Sequence, residues 1–556
     1  MSALDVGRSW GLWSPAGINI AVKHPELVAL RVTIVDRDGR RWPRFCHAVG
    51  QPLATPPMHP DHRDDPTLGT VAQVALCWPG DPLFLDAMLE PGEGEPPVRL
   101  RLASDGSQLH GLVEGAAEQR VEVALEGAAG FAIAQTGDGA LAQPFRFSVV
   151  PVGQSPRGLA LARGWQLAHA RLQGVPFAAL APLLVNLCHD PDIGLYAPVS
   201  RSWSPMIGRI VGAGDDGPLI FNWDSSLVAA AIAPVQPELA SALVDSVLSL
   251  QQPDGRIAQV RCGGYLSPLA APPVLAFAVE ALAATGRIAP AVIERDLKAV
   301  ERWLDWIARV RRVSWHPQLL GWGGSDRWQA ALESGMDDSP VWAEARFDDA
   351  AGRFETAAVD LTCLTAAAHE SLASVAGQLG LTARADRHAR AGAELTTAIA
   401  AELWCEPRGL FLPRNADGSF VEVVTPTALY PLLLDRLPDA ARCARLLSAL
   451  DDPQLLGGAP AIPSLARSDP RYNPDGDYWR GRVWPPLNWL VRRGLARVDP
   501  QRAERLAAAS HQLYLEEWRA HGHGHENYSA LTGRGEPQPG TFARSCPLYT
   551  WSLLLW

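Results

Sequence analysis

The chain has 556 residues, of which 47% are hydrophobic and 20% charged, a composition typical of globular proteins with apolar cores. A net charge of −11 excludes nucleic acid as an expected partner, because an acidic surface repels phosphate backbones. The chain has neither a run of about 18 apolar residues nor a basic leader with an apolar core, so we expect a soluble, cytoplasmic protein with no membrane partner.

The first 152 residues have the pattern of β-strands. Apolar and polar residues alternate in short runs that Gly, Pro and Asp interrupt; these runs are 27–35, 98–102, 121–125 and 145–150. A period of two is typical of antiparallel strands with one buried face. We therefore predict an antiparallel β-sandwich domain over residues 1–152.

Residues 153–556 have the pattern of helices. Stretches rich in Ala, Leu and Arg with a period near 3.6 predict helices over 160–186, 236–252, 272–286, 289–311, 357–380, 382–404, 425–449, 483–496, 499–519 and 546–556. Long loops lie between them at 187–222, 253–271, 312–356, 450–482 and 520–545. Long loops in a compact domain are usually functional, so we expect a toroid of helical hairpins whose loops gather on one face.

Two of these loops carry acidic motifs, Glu333–Pro340 (ESGMDDSP) and His525–Gly533 (HENYSALTG). Small and turn-forming residues surround each carboxylate, which suits loops that project into a cleft. Either motif alone is equally typical of a solvated acidic loop. Together they match the chemistry of glycosidic bond cleavage, which needs one carboxylic acid and one carboxylate on opposite faces of the sugar.

Two further motifs are rich in aromatic residues, Phe221–Ser225 (FNWDS) and Tyr478–Pro486 (YWRGRVWPP). In this order and spacing, the four motifs resemble glycoside hydrolase family 63 and its mannosylglycerate hydrolase-like relatives. Segments 250–257, 272–278 and 462–464 support the resemblance, which covers about residues 185–556. It implies a mainly α fold with an (α/α)6 barrel over residues 153–556, and hydrolysis of α-linked glucosides or mannosides with inversion.

The resemblance also implies a role for individual residues. Asp337 corresponds to the general acid and Glu526 to the general base that activates water. Trp223 and Asp224 correspond to residues that hold the sugar, the indole by stacking and the carboxylate by accepting hydrogen bonds from hydroxyls. Asp224 equally suits the cap of a helix that begins near Ser225, and if buried it needs a partner such as a ligand hydroxyl or Arg480.

The same motifs supply the other predicted substrate-binding residues, which are Glu333, Gly335, Tyr478, Trp479, Arg480, Trp484 and Tyr528. Tyr478, Trp479, Arg480 and Trp484 suit one wall of a pocket. Arg480 suits either a clamp on the carboxylate of an acidic aglycone or a pair with a carboxylate of the barrel, and the sequence leaves both open.

Three positions depart from the family pattern. Asp338 follows the acid where Asn is usual, Leu332 stands where Trp commonly precedes the Glu-Ser-Gly motif, and Ala271 replaces a Gln before Pro272. Loss of the Gln removes an expected hydrogen bond to sugar. We therefore expect a substrate that differs from those of the best-known members.

Histidines 521, 523 and 525 alternate ahead of Glu526, which suits either a metal site or a Gly-rich segment in which a histidine tunes the base. No ligand spacing of a known site accompanies them, so we expect no metal and no cofactor. Asp337-Asp338 also resembles part of the magnesium motif of terpene cyclases, but the third aspartate and a basic cluster for diphosphate are missing.

The sequence thus predicts an inverting, exo-acting α-glycosidase that binds a small carbohydrate substrate. One alternative is a sugar epimerase or isomerase on the same barrel, in which a histidine pair transfers protons. Another is a carbohydrate-binding protein without turnover. Gluco or manno preference, linkage, aglycone and oligomeric state, a homo-oligomer included, are left open.

Overall fold

A computed structural model describes residues 219–556, apart from gaps at 437–438, 459, 476–477, 522–523, 536–544 and 547–548, together with strands and short segments between residues 9 and 199. The chain divides into two compact units, residues 1–219 with 262–265, and residues 220–261 with 266–556. Most of residues 156–218 lie outside the described part, so the boundary expected at residue 152 stays a prediction.

The first unit contains antiparallel strands at all four runs where alternation predicts them. Its strands are β1 Ser9–Trp13, β2 Asn19–Lys23, β3 Ala29–Val35, β4 Arg41–Ala48, β5 Gln73–Ala75, β6 Leu83–Leu89, β7 Val98–Ser104, β8 Leu109–Glu114, β9 Arg120–Glu126, β10 Phe131–Thr136, β11 Phe145–Pro151, β12 Cys188–Asp190 and β13 Gly194–Tyr196. One sheet has the order β10-β11-β8-β7-β6-β5 and another the order β4-β3-β9. That they pack as a sandwich stays a prediction.

The second unit is mainly helical. Its helices are α1 Asn222–Ile232, α2 Pro237–Leu248, α3 Leu275–Thr285, α4 Pro290–Val310, α5 Arg327–Glu333, α6 Pro340–Glu344, α7 Val359–Gln378, α8 Thr382–Glu402, α9 Ala440–Asp451, α10 Pro485–Val498 and α11 Pro500–His521, with 3₁₀ helices η1 Pro426–Leu433 and η2 Thr550–Leu555. Short strands at 219–221, 260–262, 265–266, 347–348, 353–354, 404–405 and 410–411 lie between them. None of the described helices is both long and apolar enough to cross a bilayer.

Six elements form a closed inner ring in the order α1, α3, α7, η1, α10 and η2, each in contact with the next and η2 again with α1. Outside the ring, α2 packs on α1, α4 on α3, α8 on α7, α9 on η1 and α11 on α10. Chain order therefore alternates between inner and outer elements, which is the arrangement of an α/α barrel. The toroid of helical hairpins expected from the periodicity is present.

Composition explains which helices lie inside. In α1, ten of eleven residues are buried, and α7 likewise buries most of its length. In α8, by contrast, only six of 21 residues are buried, since one face is charged. A helix that is apolar on every side must be surrounded by protein, whereas an amphipathic helix covers the core with one face.

The structure differs from the predicted helices and loops in two places. The single helix expected over 425–449 is instead η1 and α9, because Pro431 breaks the α-helical hydrogen-bond pattern and Asp439 caps a new helix through the N–H of Arg442. The expected loop 312–356 contains the short helices α5 and α6. Most of the helix predicted over 160–186 lies outside the described residues.

Candidate active site

The predicted site residues lie at or next to the first turns of inner elements and on the loops that precede them. Asp224 is in the first turn of α1, Trp484 directly precedes α10, and Tyr549 directly precedes η2. Glu526 and Asp337 are on loops, yet their charges act on each other and on Asp224. The barrel thus brings together the carboxyl groups of three motifs that are far apart in sequence.

Glu526 is held in one orientation within the protein. Its side chain is buried, Oε1 accepts a 2.5 Å hydrogen bond from the Tyr478 hydroxyl, and Oε2 accepts one of 3.3 Å from the N–H of Cys546. The Trp551 indole donates to the carbonyl of Glu526 at 2.8 Å. Burial is the main reason that the pKa of Glu526 rises to about 8, and the charge of Asp337 raises it further against the opposing effects of Tyr478, Cys546 and Arg482.

Asp337 lies in the tight loop between α5 and α6 and is half-buried. Gly335 turns the loop with a φ of 77°, a conformation that glycine adopts without strain. The Trp342 indole fixes the loop by donating to the carbonyl of Met336 at 3.1 Å. Burial is the main cause of the raised pKa values of Tyr478, Glu526 and Asp224, and the charge of Asp337 adds to each, so its carboxyl group lies near all three.

Trp223 and Asp224 form the part of the site that α1 contributes. A Cβ built on Gly335 would lie 3.7 Å from the Trp223 ring, so the Asp337 loop packs directly on this indole. Asp224 does not cap the helix, because the N-cap residue is Phe221 and no side-chain cap bond is present. The Tyr549 hydroxyl donates to Asp224, while Oδ1 of Asp224 is buried without a partner among the described residues. Burial, then Glu526, raises the pKa of Asp224 well above its ordinary value.

Glu333 makes contacts of a different kind from the other carboxylates. It is fully buried, and Arg311 binds both of its oxygens through Nε and Nη2 at 2.7 and 2.6 Å. The N–H groups of Ala270 and Gly323 each donate to it at 2.7 Å. All four acceptor positions of the carboxylate are therefore used by protein, which fits a residue that positions three loops around the site.

The segment from Tyr478 to Trp484 is an aromatic cluster. Trp479 and Trp484 stack with ring centroids 3.5 Å apart, and Tyr478 meets the Trp484 ring edge-to-face at 4.7 Å. The Trp484 indole is fully buried and donates to the carbonyl of Tyr478 at 3.0 Å. Trp484 thus packs against both of the other rings. The buried Nε1 of Trp479 has no hydrogen-bond partner in the described part of the chain.

Asp338 connects this aromatic segment to the loop of the acid. Its Oδ1 accepts a 2.8 Å hydrogen bond from the N–H of Trp479, and Oδ2 lies 3.6 Å from Nε of Arg480. The Arg480 Nε also donates to the carbonyl of Asp338 at 3.2 Å. Arg480 therefore pairs with a carboxylate of the barrel, one of the two roles open from sequence, and it is not the partner of Asp224.

Tyr528 and His525 stabilise the loop of Glu526 through buried contacts. Tyr528 is fully buried, pairs with the backbone of Val483, and accepts from the N–H of His525 at 2.9 Å. The His525 ring is buried with Nδ1 3.1 Å from Oε1 of Glu517. The side chain of His521 and all of His523 lie outside the described residues, and the described ones contain no group of three or more potential metal ligands.

A protein family supplies the wider context. The model of the mannosylglycerate hydrolase MGH1-like glycoside hydrolase domain matches residues 217–552, which is more than half of the chain. The chain belongs to this family. It is a glycoside hydrolase, and the resemblance that the four motifs indicate is confirmed.

Individual relatives agree with this assignment. The mannosylglycerate hydrolase of Rubrobacter radiotolerans is 26% identical over 373 residues, 53% of this chain and 83% of the relative. The mannosylglycerate hydrolase MGH1 of Selaginella moellendorffii is 26% identical over 386 residues, 57% of this chain and 77% of the relative. The crystal structure of an uncharacterized conserved protein from Thermus thermophilus has the same fold at a TM-score of 0.50 and 22% identity, covering 61% of this chain and 92% of that one.

Several residues that contact the site do not belong to the motifs read from sequence, and Arg311 and Tyr549 are two of them. Arg311 ends α4 and holds Glu333, and Tyr549 donates to Asp224. A signal for Tyr549 does exist, because three inner elements, α1, α10 and η2, have an aromatic residue at the position before their first turn. Nothing in the sequence around Arg311 distinguishes it from the other arginines.

Proposed function

We propose that the protein is an inverting, exo-acting α-glycosidase for an α-linked glucoside or mannoside, with Asp337 as general acid and Glu526 as general base. The observation that carries the proposal is the mutual effect of Asp337 and Glu526, two carboxyl groups on separate loops whose charges act on each other within the barrel. Inversion requires such a pair about 6.5 to 9.5 Å apart, so that a water fits between the base and the sugar.

The protonation of this pair suits the reaction. Two carboxyl groups that repel each other lose their protons in separate steps, so a pH range exists in which the pair holds one proton. The reactive form has that proton on Asp337, from which it passes to the leaving oxygen, and an ionised Glu526 that takes a proton from water. The donors Tyr478 and Cys546 favour ionised Glu526, as the general base requires.

The glycone would bind beside Asp224 and Trp223. Burial of the Asp224 Oδ1 without a partner in the described residues is costly, and a sugar hydroxyl supplies the missing donor. The indole of Trp223 offers an apolar face to the C–H face of a pyranose. Cleavage at a terminal sugar and a cytoplasmic location remain predictions from sequence.

The test is a set of amide variants. We expect Asp337→Asn and Glu526→Gln to abolish release of reducing sugar from α-linked disaccharides while the melting temperature stays within a few degrees. Asp451→Asn, which removes a carboxylate from an exposed pair with Arg502, is the matched control and should retain full activity. NMR of the first product should show the β-anomer; full activity in either site variant, or an α-anomer, contradicts the proposal.

The alternatives gain no support from the described residues. An isomerase of this barrel class needs a histidine pair at the substrate, but His525 is buried against Glu517. Membership in a glycoside hydrolase family favours turnover over silent binding. Deuterium incorporation into an intact monosaccharide, without release of reducing sugar, is the result that would favour the isomerase.

A further inference from the structure

Asp338 lies on the more open side of the site. The side chains of Asp338 and Arg480 are 26% and 39% exposed, whereas Asp224 and Glu526 are 5% and 1% exposed as residues. Asp337 is half-buried. In an exo-acting enzyme the terminal sugar enters the closed end of the pocket, so the aglycone faces the open end. If Asp337 protonates the leaving oxygen, Asp338 and Arg480 border the aglycone.

The charges on this side disfavour an acidic aglycone. Asp338 lies 3.6 Å from Arg480 and so compensates its positive charge. Two other arginines of the described site already bind protein groups. Arg311 binds the carboxylate of Glu333, and Arg482 donates to the side-chain oxygen of Asn527 and to the carbonyl of Gly535. An asparagine at position 338, usual in the family pattern, would accept the hydrogen bond from the N–H of Trp479 equally well. Its neutral side chain would not compensate the positive charge of Arg480.

We infer that Asp338 makes the site select a neutral, hydroxylated leaving group over a leaving group that carries a carboxylate. The inference rests on the proposed α-glycosidase function and specifies its substrate class. It separates this chain from relatives whose names specify glycerate, an aglycone with a carboxylate. A carboxylate and a hydroxymethyl group are similar in size, so charge is the main property by which Asp338 can distinguish the two forms of such an aglycone.

Two substrates that differ only at that group provide the test. We would measure kcat/KM for α-glucosylglycerol and α-glucosylglycerate, and for the two mannosyl analogues, at one pH and low salt. The wild type should prefer the glycerol conjugate. Asp338→Asn should shift the ratio towards the glycerate conjugate by at least about fivefold, the effect of one unit charge about 4 Å away at the dielectric constant of water. An effect of Asp338 on the acid itself changes both rates equally and cancels in the ratio.

Asp451→Asn serves as the control, because it removes the same charge from an aspartate–arginine pair outside the site and should leave the ratio unchanged. High salt should weaken the wild-type preference. If only neutral α-linked disaccharides are cleaved, inhibition of that cleavage by D-glycerate is the test. D-glycerate should inhibit the wild type no better than glycerol does. It should inhibit the Asp338→Asn variant at least about fivefold more strongly than it inhibits the wild type.

Each outcome bears on one of the two proposals. A wild-type preference for the glycerate conjugate, or strong inhibition by D-glycerate, overturns the role of Asp338 and leaves the glycosidase proposal intact. An unchanged ratio of the two kcat/KM values in a folded Asp338→Asn variant also overturns the role of Asp338 and leaves the glycosidase proposal intact. Absence of cleavage for every conjugate and every neutral α-linked disaccharide overturns the proposed function itself. If Asp338→Asn does not fold, the wild-type ratio and its dependence on salt still decide the inference.

Discussion

The hydroxyl of Tyr478 donates a hydrogen bond to Oε1 of Glu526, which joins the aromatic segment before α10 to the carboxyl group of the proposed base. A donor to a carboxylate stabilises its ionised form and lowers its pKa. Burial acts in the opposite direction and outweighs it, so the pKa of Glu526 is about 8. Tyr478 therefore determines how much of Glu526 is ionised near neutral pH.

Replacement of Tyr478 by Phe should decrease kcat/KM about tenfold to a hundredfold, the effect of losing a hydrogen bond to a charged group. The alkaline limb of the pH profile should move to higher pH, because Glu526 loses a contact that lowers its pKa. Tyr472→Phe is the matched control, since the Tyr472 hydroxyl accepts a hydrogen bond from Arg467 at 2.8 Å. A loss of activity with an unmoved pH profile would mean that Tyr478 acts through packing alone.

The pH dependence of the wild type tests whether the two carboxyl groups must hold one proton between them. Because the proposed mechanism needs that proton and burial raises the pKa of Glu526 to about 8, kcat/KM should follow a bell-shaped profile that falls about tenfold per pH unit above about pH 8. The measurement is kcat/KM from pH 5 to 10 under constant ionic strength. A profile that keeps rising up to pH 10 would mean that activity does not need the shared proton, and it would contradict the proposed pair.

The sequence identifies the parts of the site that consist of local motifs. The helices follow from a 3.6-residue period and from residues such as Pro485, which begins α10 as proline at a first turn does, whereas the motif positions follow from the family resemblance. The partner of Glu333 does not follow from them, because Arg311 lies on another element and only the folded barrel brings the two together. The pair of Asp338 with Arg480 does not follow from the local motifs either, because the sequence leaves two roles open for Arg480.

Glu333 is the residue for which motif and structure suggest different roles, and Glu333→Gln separates them. Removal of one partner from a buried ion pair typically destabilises a protein by about 3 to 5 kcal/mol. We expect a decrease in the free energy of unfolding of that order, measured by urea denaturation. Glu406→Gln, at an exposed pair with Arg445, is the control and should leave the free energy of unfolding nearly unchanged. Unchanged stability with a raised KM would instead support the substrate-binding role expected from sequence.

Burial of Glu526 should also make the fold less stable at alkaline pH. Its pKa rises from 4.5 to about 8 on folding, so between these values the folded state binds more protons than the unfolded state and stability falls as pH rises. One such group contributes about 1.4 kcal/mol for each pH unit in this window. Glu526→Gln lacks this group and should therefore melt a few degrees above the wild type at pH 8.5 and at the same temperature at pH 4. Glu422→Gln, which changes an exposed glutamate, is the control and should melt at the same temperature as the wild type at both pH values. If the melting temperature of Glu526→Gln instead changes with pH as that of the wild type does, the carboxyl group of Glu526 is not buried in solution.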